Sequence, residues 1–339
     1  MLFHICAKEN MIIKDFKPFN GQHCETTTTG SLLSQLGIEF SEPMLFGLGE
    51  GLGFVYWKMK DWDFPFLGGR VKQDELTANI CRNLNLELEI RETSSVNKAW
   101  NNVKEYLDEG VAVGLKLDCY HLEYFTSKFH FAAHYASIYG YDDNTAYLND
   151  TNQQGRDART SRESLSLARN EKGPMSSRNR SFVIRKNTNL PDLKLSIKNA
   201  LYNNASAFLN PPIKNLGYKG IIKASTEIKK WFNSSKSIET DFQTSAMLME
   251  RAGTGGALFR NLFRDFLKES AELLASDKLM EAHSDYSQIA KMWTRVSELF
   301  ELVGETQDPK YINEASDILV DIAGRERMTM EKIKLETLI

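Results

Sequence analysis

One cysteine in this sequence lies in a context that favours nucleophilic chemistry. Cys24 belongs to the segment NGQHCETTTT, residues 20–29, behind a glycine and in front of a threonine run that can begin a helix. A thiolate at a helix N-terminus is stabilised by the positive end of the helix dipole, which raises the reactive fraction of a thiol at neutral pH. We therefore predict that Cys24 is a nucleophile, which requires a base and a group that orients the base.

His134 is the histidine best placed to act as that base. It lies in a predicted strand, and the strand that pairs with it in a predicted hairpin ends at Asp150. A cysteine at a helix start, a histidine on a strand and an aspartate or asparagine on the next strand follow the order of nucleophile, base and orienter in papain-like enzymes. The sequence thus predicts a triad of Cys24, His134 and Asp150. Asn149 is the alternative orienter, because side chains alternate along a strand.

Three further residues are candidate substrate contacts. Glu42 and Glu50 could bind a cationic amine, with a solvated or capping carboxylate as the alternative for each. His121 and His130 flank a loop that precedes the predicted His134 strand. His121 could line the site, although exposed loop histidines are also common.

Composition and charge exclude several kinds of partner. The net charge of −3 offers no basic excess with which to replace the counterions of a nucleic acid. No apolar stretch approaches the roughly 20 residues that span a bilayer, and charge interrupts residues 1–10 too early for a signal peptide. We expect a cytoplasmic protein without a bound cofactor or metal.

The four cysteines lack the paired spacing of zinc or redox motifs, and all but Cys24 are predicted to be structural: Cys6, Cys81 and Cys119.

The length of 339 residues suits two domains, and the hydrophobic patterns differ between the two parts of the chain. The first part mixes helices and strands, and its polar segment 152–180 is predicted to be a flexible loop or a lid. After Pro191 the pattern is mainly helical. We predict an α+β fold with a catalytic domain over residues 1–190, in which a helix carrying Cys24 packs against an antiparallel sheet, and a helical domain over residues 191–339. The clearest predicted elements are helices over 26–36, 97–108, 257–274 and 286–302, and strands over 111–117, 131–141, 146–150 and 182–184.

Several motifs, in order along the chain, resemble the butirosin biosynthesis protein H family. They are GQHCE (21–25), SEPMLFGLGEG (41–51), DCYHLEY (118–124), HYASIYGYD (134–142) and ND (149–150), and GTGGALFR (253–260) resembles the glycine-rich helix start of the family's C-terminal domain. The resemblance covers most of the chain. It implies a papain-like fold with Cys24 as nucleophile, His134 as base and acid, and Asp150 as orienter.

The resemblance also implies an activity. A family member moves an acyl group from a carrier-protein thioester to an amine of an aminoglycoside, and relatives are associated with coupling a peptidyl thioester to a diamine in closthioamide assembly. We therefore expect an amide-forming acyltransferase whose partners are an acyl or peptidyl carrier protein, with its phosphopantetheine arm, and a small amine. Two alternatives stay open: a cysteine peptidase or amidase with the same triad, and a noncatalytic binding module.

One position departs from the papain pattern. Papain-type enzymes place an oxyanion-hole glutamine six residues before the cysteine, where this sequence has Pro18. The backbone N–H of Cys24 remains as one donor to a tetrahedral oxyanion, and Gln22 or Asn20 is the candidate second donor.

Overall fold

The computed structural model describes residues 10–58, 64–126, 128, 130–155, 157–173, 175–250 and 256–338. The chain divides into two compact units, one formed by Met1–Glu42 and Leu84–Leu190 and the other by Pro43–Asn83 and Pro191–Ile339. The chain passes between units near residue 190, where the sequence put its boundary. Residues 43–83 differ from that expectation, because they pack within the second unit and not within the first. Cys6 and the first three residues of the GTGGALFR motif, 253–255, lie outside the described residues.

Strands and helices alternate in the first part of the chain, and only helices follow Pro191 in the described residues. The strands are β1 (Met11–Ile12), β2 (Leu52–Trp57), β3 (Phe66–Arg70), β4 (Leu86–Arg91), β5 (Val113–Leu117), β6 (His134–Tyr141), β7 (Thr145–Asn149), β8 (Ala158–Ser161) and β9 (Ser181–Lys186). The helices are α1 (Cys24–Gln35), α2 (Glu42–Leu48), α3 (Glu75–Asn83), α4 (Val96–Asp108), α5 (Arg162–Asn170), α6 (Leu193–Leu209), α7 (Gly217–Ser234), α8 (Ile238–Glu250), α9 (Ala257–Leu274), α10 (Asp277–Thr306) and α11 (Pro309–Glu336).

The first unit is built on an antiparallel sheet with the strand order β4-β9-β5-β6-β7-β8, and β1 pairs with β6. The predicted hairpin is confirmed, since β6 and β7 pair with Ser137 opposite Asn149. On the other side of β6, His134 pairs with Leu117 of β5. The first residue of β6 and the last residues of β7 therefore lie at the same end of the sheet.

Helices pack against both faces of this sheet. Leu148 lies in a buried apolar cluster with Leu107 of α4 and Leu165 of α5. The next residue, Asn149, instead donates a hydrogen bond to Ser31 of α1 at 2.9 Å. Because successive side chains of a strand point to opposite faces, α1 covers the face opposite to α4 and α5.

The segment 152–180 is more regular than a loop or lid. It contains β8, which extends the sheet beside β7, and α5, whose Leu165 and Ala168 are buried. The sequence pattern missed α5 for two reasons. Only one side of the helix is buried, so most of its residues are polar, and nine residues are too few for a clear helical periodicity. Ser161 caps α5 by accepting a hydrogen bond from the backbone N–H of Ser164.

The second unit combines the β2–β3 hairpin with a set of helices. Phe46 of α2 stacks on Phe259 of α9, with ring centroids 5.6 Å apart, and Phe54 of β2 contacts Trp293 of α10. These aromatic contacts explain why residues 43–83 pack with the helical part of the chain. None of the described helices is both long and apolar enough to cross a membrane.

Candidate active site

The closest contact among the predicted triad residues joins His134 and Asp150. His134 begins β6 and Asp150 follows the last residue of β7, so strand pairing brings the two side chains together. Nε2 of His134 lies 2.7 Å from Oδ2 of Asp150, and both side chains are buried. Of the two candidate orienters, Asp150 contacts the imidazole, whereas Asn149 hydrogen bonds to α1 and to the backbone oxygen of Phe19.

The Asp150 carboxylate has further hydrogen-bond donors. The hydroxyl of Tyr124 donates to Oδ2 at 2.8 Å, and the backbone N–H of Thr151 donates to Oδ1 at 2.6 Å. A buried carboxylate that accepts several hydrogen bonds is held in one orientation. Sequence reasoning missed Tyr124, although it lies within the DCYHLEY motif.

The environment of His134 raises its pKa well above the usual value for histidine. Burial is the largest single influence and lowers the pKa, but the negative charge of Asp150, the charge of Cys119 and the hydrogen bonds to both residues together outweigh it. The imidazolium form is therefore favoured. A histidine of this kind can accept a proton from a thiol and keep it as a stable cation next to Asp150.

A second thiol lies against the same imidazole. Cys119, in the 3₁₀ turn Cys119–His121, is buried and contributes to the pKa shifts of both His134 and Tyr124. The ring of Phe125 meets the His134 ring edge-on, with centroids 5.2 Å apart. The sequence predicted only a structural role for Cys119, because nothing in its local context indicates that the turn returns to His134.

Cys24 is the first residue of α1, two residues before the predicted helix start. The first N–H groups of a helix have no intrahelical acceptor, which leaves the backbone N–H of Cys24 suited to an oxyanion. The side chain is partly exposed. Among the described residues, no hydrogen bond joins the Cys24 thiol to His134. The triad of Cys24 with His134 and Asp150 therefore stays a prediction.

The segment before Cys24 runs beside the end of β7. The backbone N–H of Asn152 donates to the oxygen of Gly21 at 2.9 Å, and Nδ2 of Asn149 donates to the oxygen of Phe19 at 3.1 Å. The two bonds are made by Asn149 and Asn152, which lie on either side of Asp150 in the sequence. They bring the start of α1 to the end of the sheet that carries His134 and Asp150.

Glu42 stabilises this start of α1. Its carboxylate accepts hydrogen bonds from the backbone N–H groups of Gln22 and His23, at 2.9 and 2.8 Å, and from the Thr26 hydroxyl at 2.7 Å. A Cβ at Gly21 would come within 2.9 Å of the same carboxylate, so the glycine permits this close approach. Of the alternatives that the sequence left open for Glu42, the structure shows the capping carboxylate.

The other candidate contacts also have partners within the protein. Glu50 lies in the second unit, where Oε1 accepts hydrogen bonds from Arg82, Asn83 and Asn203. Nε2 of His121 lies 2.7 Å from Oε2 of Glu171. The two candidate oxyanion donors, Asn20 and Gln22, are both exposed.

Comparison with known proteins adds two family matches. Residues 23–151 match the family "Butirosin biosynthesis protein H, N-terminal", and residues 163–333 match "Domain of unknown function (DUF4872)". A solved structure from Bacillus anthracis, described as a C39-like peptidase, is similar over 53% of this chain and 100% of its own, with 19% identity and a TM-score of 0.36. The search of curated proteins found no match. The second match spans half of the chain, which therefore belongs to the DUF4872 family. The first match covers the residues around Cys24 and His134, so the chain is butirosin biosynthesis protein H-like in this part.

Proposed function

We propose that the protein is a cysteine-dependent acyltransferase that forms an amide. The observation that carries the proposal is the buried pair of His134 and Asp150, 2.7 Å apart, at the end of the sheet where the helix beginning with Cys24 also starts. The family match supports a biosynthetic role, since its printed description is a biosynthesis protein. The acyl donor is a carrier-protein thioester and the acceptor is a small amine, as the family resemblance implies.

The reaction has two halves that share one covalent intermediate. His134 removes the proton of Cys24, and the thiolate attacks the thioester carbonyl carbon. A new carbon–sulfur bond forms to Cys24, the bond to the carrier sulfur breaks, and the carrier thiolate takes the proton from the imidazolium. Asp150 stabilises the imidazolium that exists between these two proton transfers.

In the second half, an amine attacks the acyl-Cys24 carbonyl. His134 accepts a proton of the attacking nitrogen, a carbon–nitrogen bond forms, and the Cys24 sulfur leaves and is reprotonated. Exchange between two thioesters is nearly isoenergetic, whereas conversion of a thioester to an amide is downhill. The demanding requirement is to exclude water, because hydrolysis would give the free acid.

The test is intact-mass analysis after incubation with an acyl thioester of a carrier protein and with a matched acyl-pantetheine. We expect an acyl adduct that peptide mapping assigns to Cys24, that is absent in Cys24→Ala and that is retained in Cys119→Ala. Addition of a diamine should discharge the adduct as an amide. Cys81 provides an internal control, because burial raises the pKa of its thiol to about 12 and leaves almost no thiolate at neutral pH.

Three results would contradict the proposal in different ways. An adduct on Cys119 that persists in Cys24→Ala would move the nucleophile to the thiol beside His134. Release of the free acid alone, whatever amine is present, would favour the peptidase or amidase. A wild-type protein that binds the thioester but forms no adduct would favour the noncatalytic binding module.

A further inference from the structure

We propose that His121, His130 and Glu171 form a zinc site in the first unit. Each residue offers one ligand atom, and the three atoms lie within 4.8 Å of one another. His121 ends the 3₁₀ turn, His130 precedes β6, and Glu171 is the residue that follows α5. Two imidazole nitrogens and one carboxylate oxygen are a ligand set that suits Zn²⁺, whereas Mg²⁺ and Ca²⁺ prefer oxygen alone.

The distances require only side-chain adjustment. Nε2 of His121 and Oε2 of Glu171 are 2.7 Å apart, which is a hydrogen-bond distance. A tetrahedral zinc with bonds of about 2.0–2.1 Å would hold its ligand atoms about 3.3 Å apart. To bind zinc, the distance between Nε2 of His121 and Oε2 of Glu171 must increase by roughly half an ångström, and the His130 side chain must move towards the ion.

A buried carboxylate already orients the second histidine. Nδ1 of His130 lies 3.3 Å from Oδ2 of Asp118, and Asp118 is 1% exposed. Metal-binding histidines commonly give their other ring nitrogen to a carboxylate, which fixes the tautomer and the ring orientation. A contact of Asp118 with one ring nitrogen of His130 leaves the other nitrogen for a metal.

Tyr120 fixes the plane of the same imidazole. Its ring stacks on His130 with centroids 4.0 Å apart and an interplanar angle of 12°. Its backbone N–H also donates to Oδ1 of Asp118 at 2.8 Å, so Asp118 holds both the turn and the histidine. His130 itself is exposed. A fourth position on the metal can therefore be filled by water.

The site would join three segments that surround the start of β6. The turn that supplies His121 also carries Cys119, whose thiol lies against His134. A bound zinc would restrict this turn and hold Cys119 in place. The sequence analysis predicted no metal from the spacing of the cysteines. It could not find this site, because its two histidines and glutamate come from separate segments and form no recognisable sequence motif.

The test measures zinc binding by the full-length protein with the active-site thiols removed. In a Cys24→Ala, Cys119→Ala background, stripped with chelator, we expect one equivalent of Zn²⁺ by calorimetry. Co²⁺ should give the visible absorption bands of a tetrahedral site. His121→Ala, His130→Ala and Glu171→Gln should each weaken binding at least tenfold. Asp118→Asn should weaken it by about 10- to 100-fold, the range for a residue that orients a ligand.

His283→Ala is the matched control. This histidine lies in the second unit, where Nδ1 is 2.9 Å from the oxygen of Arg264, and its replacement should leave zinc affinity unchanged. A stripped protein that takes up no stoichiometric zinc would show that His121 and Glu171 form only a hydrogen-bonded pair. Zinc binding that survives all three ligand substitutions would equally overturn the site. Circular dichroism of each variant confirms that its fold is kept.

Discussion

At the scale of single residues, the charge of His134 depends on Asp150. Burial alone would favour the neutral imidazole, and the Asp150 carboxylate 2.7 Å away reverses this preference together with Cys119. The pair is therefore more than a positioning contact, because Asp150 makes the largest contribution that favours the imidazolium form. Tyr124 supports it from the other side by donating to the same oxygen.

We expect Asp150→Asn to lower the pKa of His134. The substitution removes the charge that raises the pKa and keeps the burial that lowers it, so the imidazolium should be lost at a lower pH. NMR titration of the histidine side chains measures this directly, with His283 as a reference in the same spectrum. An unchanged His134 pKa in the variant would mean that Asp150 does not control its charge.

The same shift has a consequence for stability. A raised histidine pKa contributes stability that is fully present below the unfolded-state pKa, about 6.5, and that is lost as pH rises through the folded-state value. The contribution of His134 to the free energy of unfolding should thus decline above about pH 6.5 in the wild type. In Asp150→Asn that decline should be smaller and should end at a lower pH.

At the scale of elements, the sequence predicted well what depends on local pattern. The helix predicted over 26–36 forms and begins two residues earlier, at Cys24. The β6–β7 hairpin follows from a turn between two strand patterns, and α9 follows from an apolar stripe. What the sequence missed depends on contacts between distant residues. The contact of Cys119 with His134 was missed because only the folded turn brings the thiol to the imidazole. The contact of Glu171 with His121 was missed because it forms only when α5 packs against the turn.

The start of α1 depends on a residue from the next helix. Glu42 begins α2 and accepts the backbone N–H groups that precede Cys24. These N–H groups have no acceptor within α1, so a carboxylate from elsewhere must satisfy them if they are buried. The position of the Cys24 backbone is thereby linked to Glu42.

We expect Glu42→Ala to destabilise the protein by about 1–3 kcal/mol, because it leaves the buried N–H of His23 and the Thr26 hydroxyl without this acceptor. Glu42→Gln keeps one acceptor oxygen and should cost less. Urea denaturation measures both. The matched control is Glu39→Ala, which removes an exposed carboxylate 3.5 Å from Lys17 and should change stability by less than about 0.5 kcal/mol. Equal effects at the two positions would contradict the capping role.

At the scale of the whole molecule, the chain divides into two units, each built from two separate segments of the sequence. Composition changes after Pro191, and the structure also passes between units near that point. The placement of residues 43–83 was not predictable from pattern. Their aromatic residues resemble those of any buried segment, and only the fold shows that Phe46 stacks on Phe259 and that Gly69 accepts a hydrogen bond from Arg260.

A buried ion pair joins the elements of the second unit. Arg260 of α9 donates two hydrogen bonds to Glu326 of α11, at 2.8 and 3.1 Å, and both side chains are fully buried. Trp293 of α10 donates to the same carboxylate at 2.9 Å. Arg260 also donates to the backbone oxygen of Gly69 in β3. The hydrogen bonds that join α9, α10, α11 and β3 therefore all involve Arg260 or Glu326, and each of these buried charges needs the other as its partner.

Removal of one charge should be more harmful than removal of both. Glu326→Leu leaves Arg260 buried without its partner, and we expect a loss of about 3–5 kcal/mol. The double variant Arg260→Met, Glu326→Leu removes both charges and fills a similar volume, so it should recover much of that loss. Urea denaturation of the full chain, with hydrogen exchange of α9, α10 and α11 followed by mass spectrometry, measures the effect in this unit. The single variant Arg260→Met completes a double-mutant cycle. If the loss in the double variant equals the sum of the two single losses, the two charges act independently, because a coupled buried pair must give a large interaction energy in this cycle.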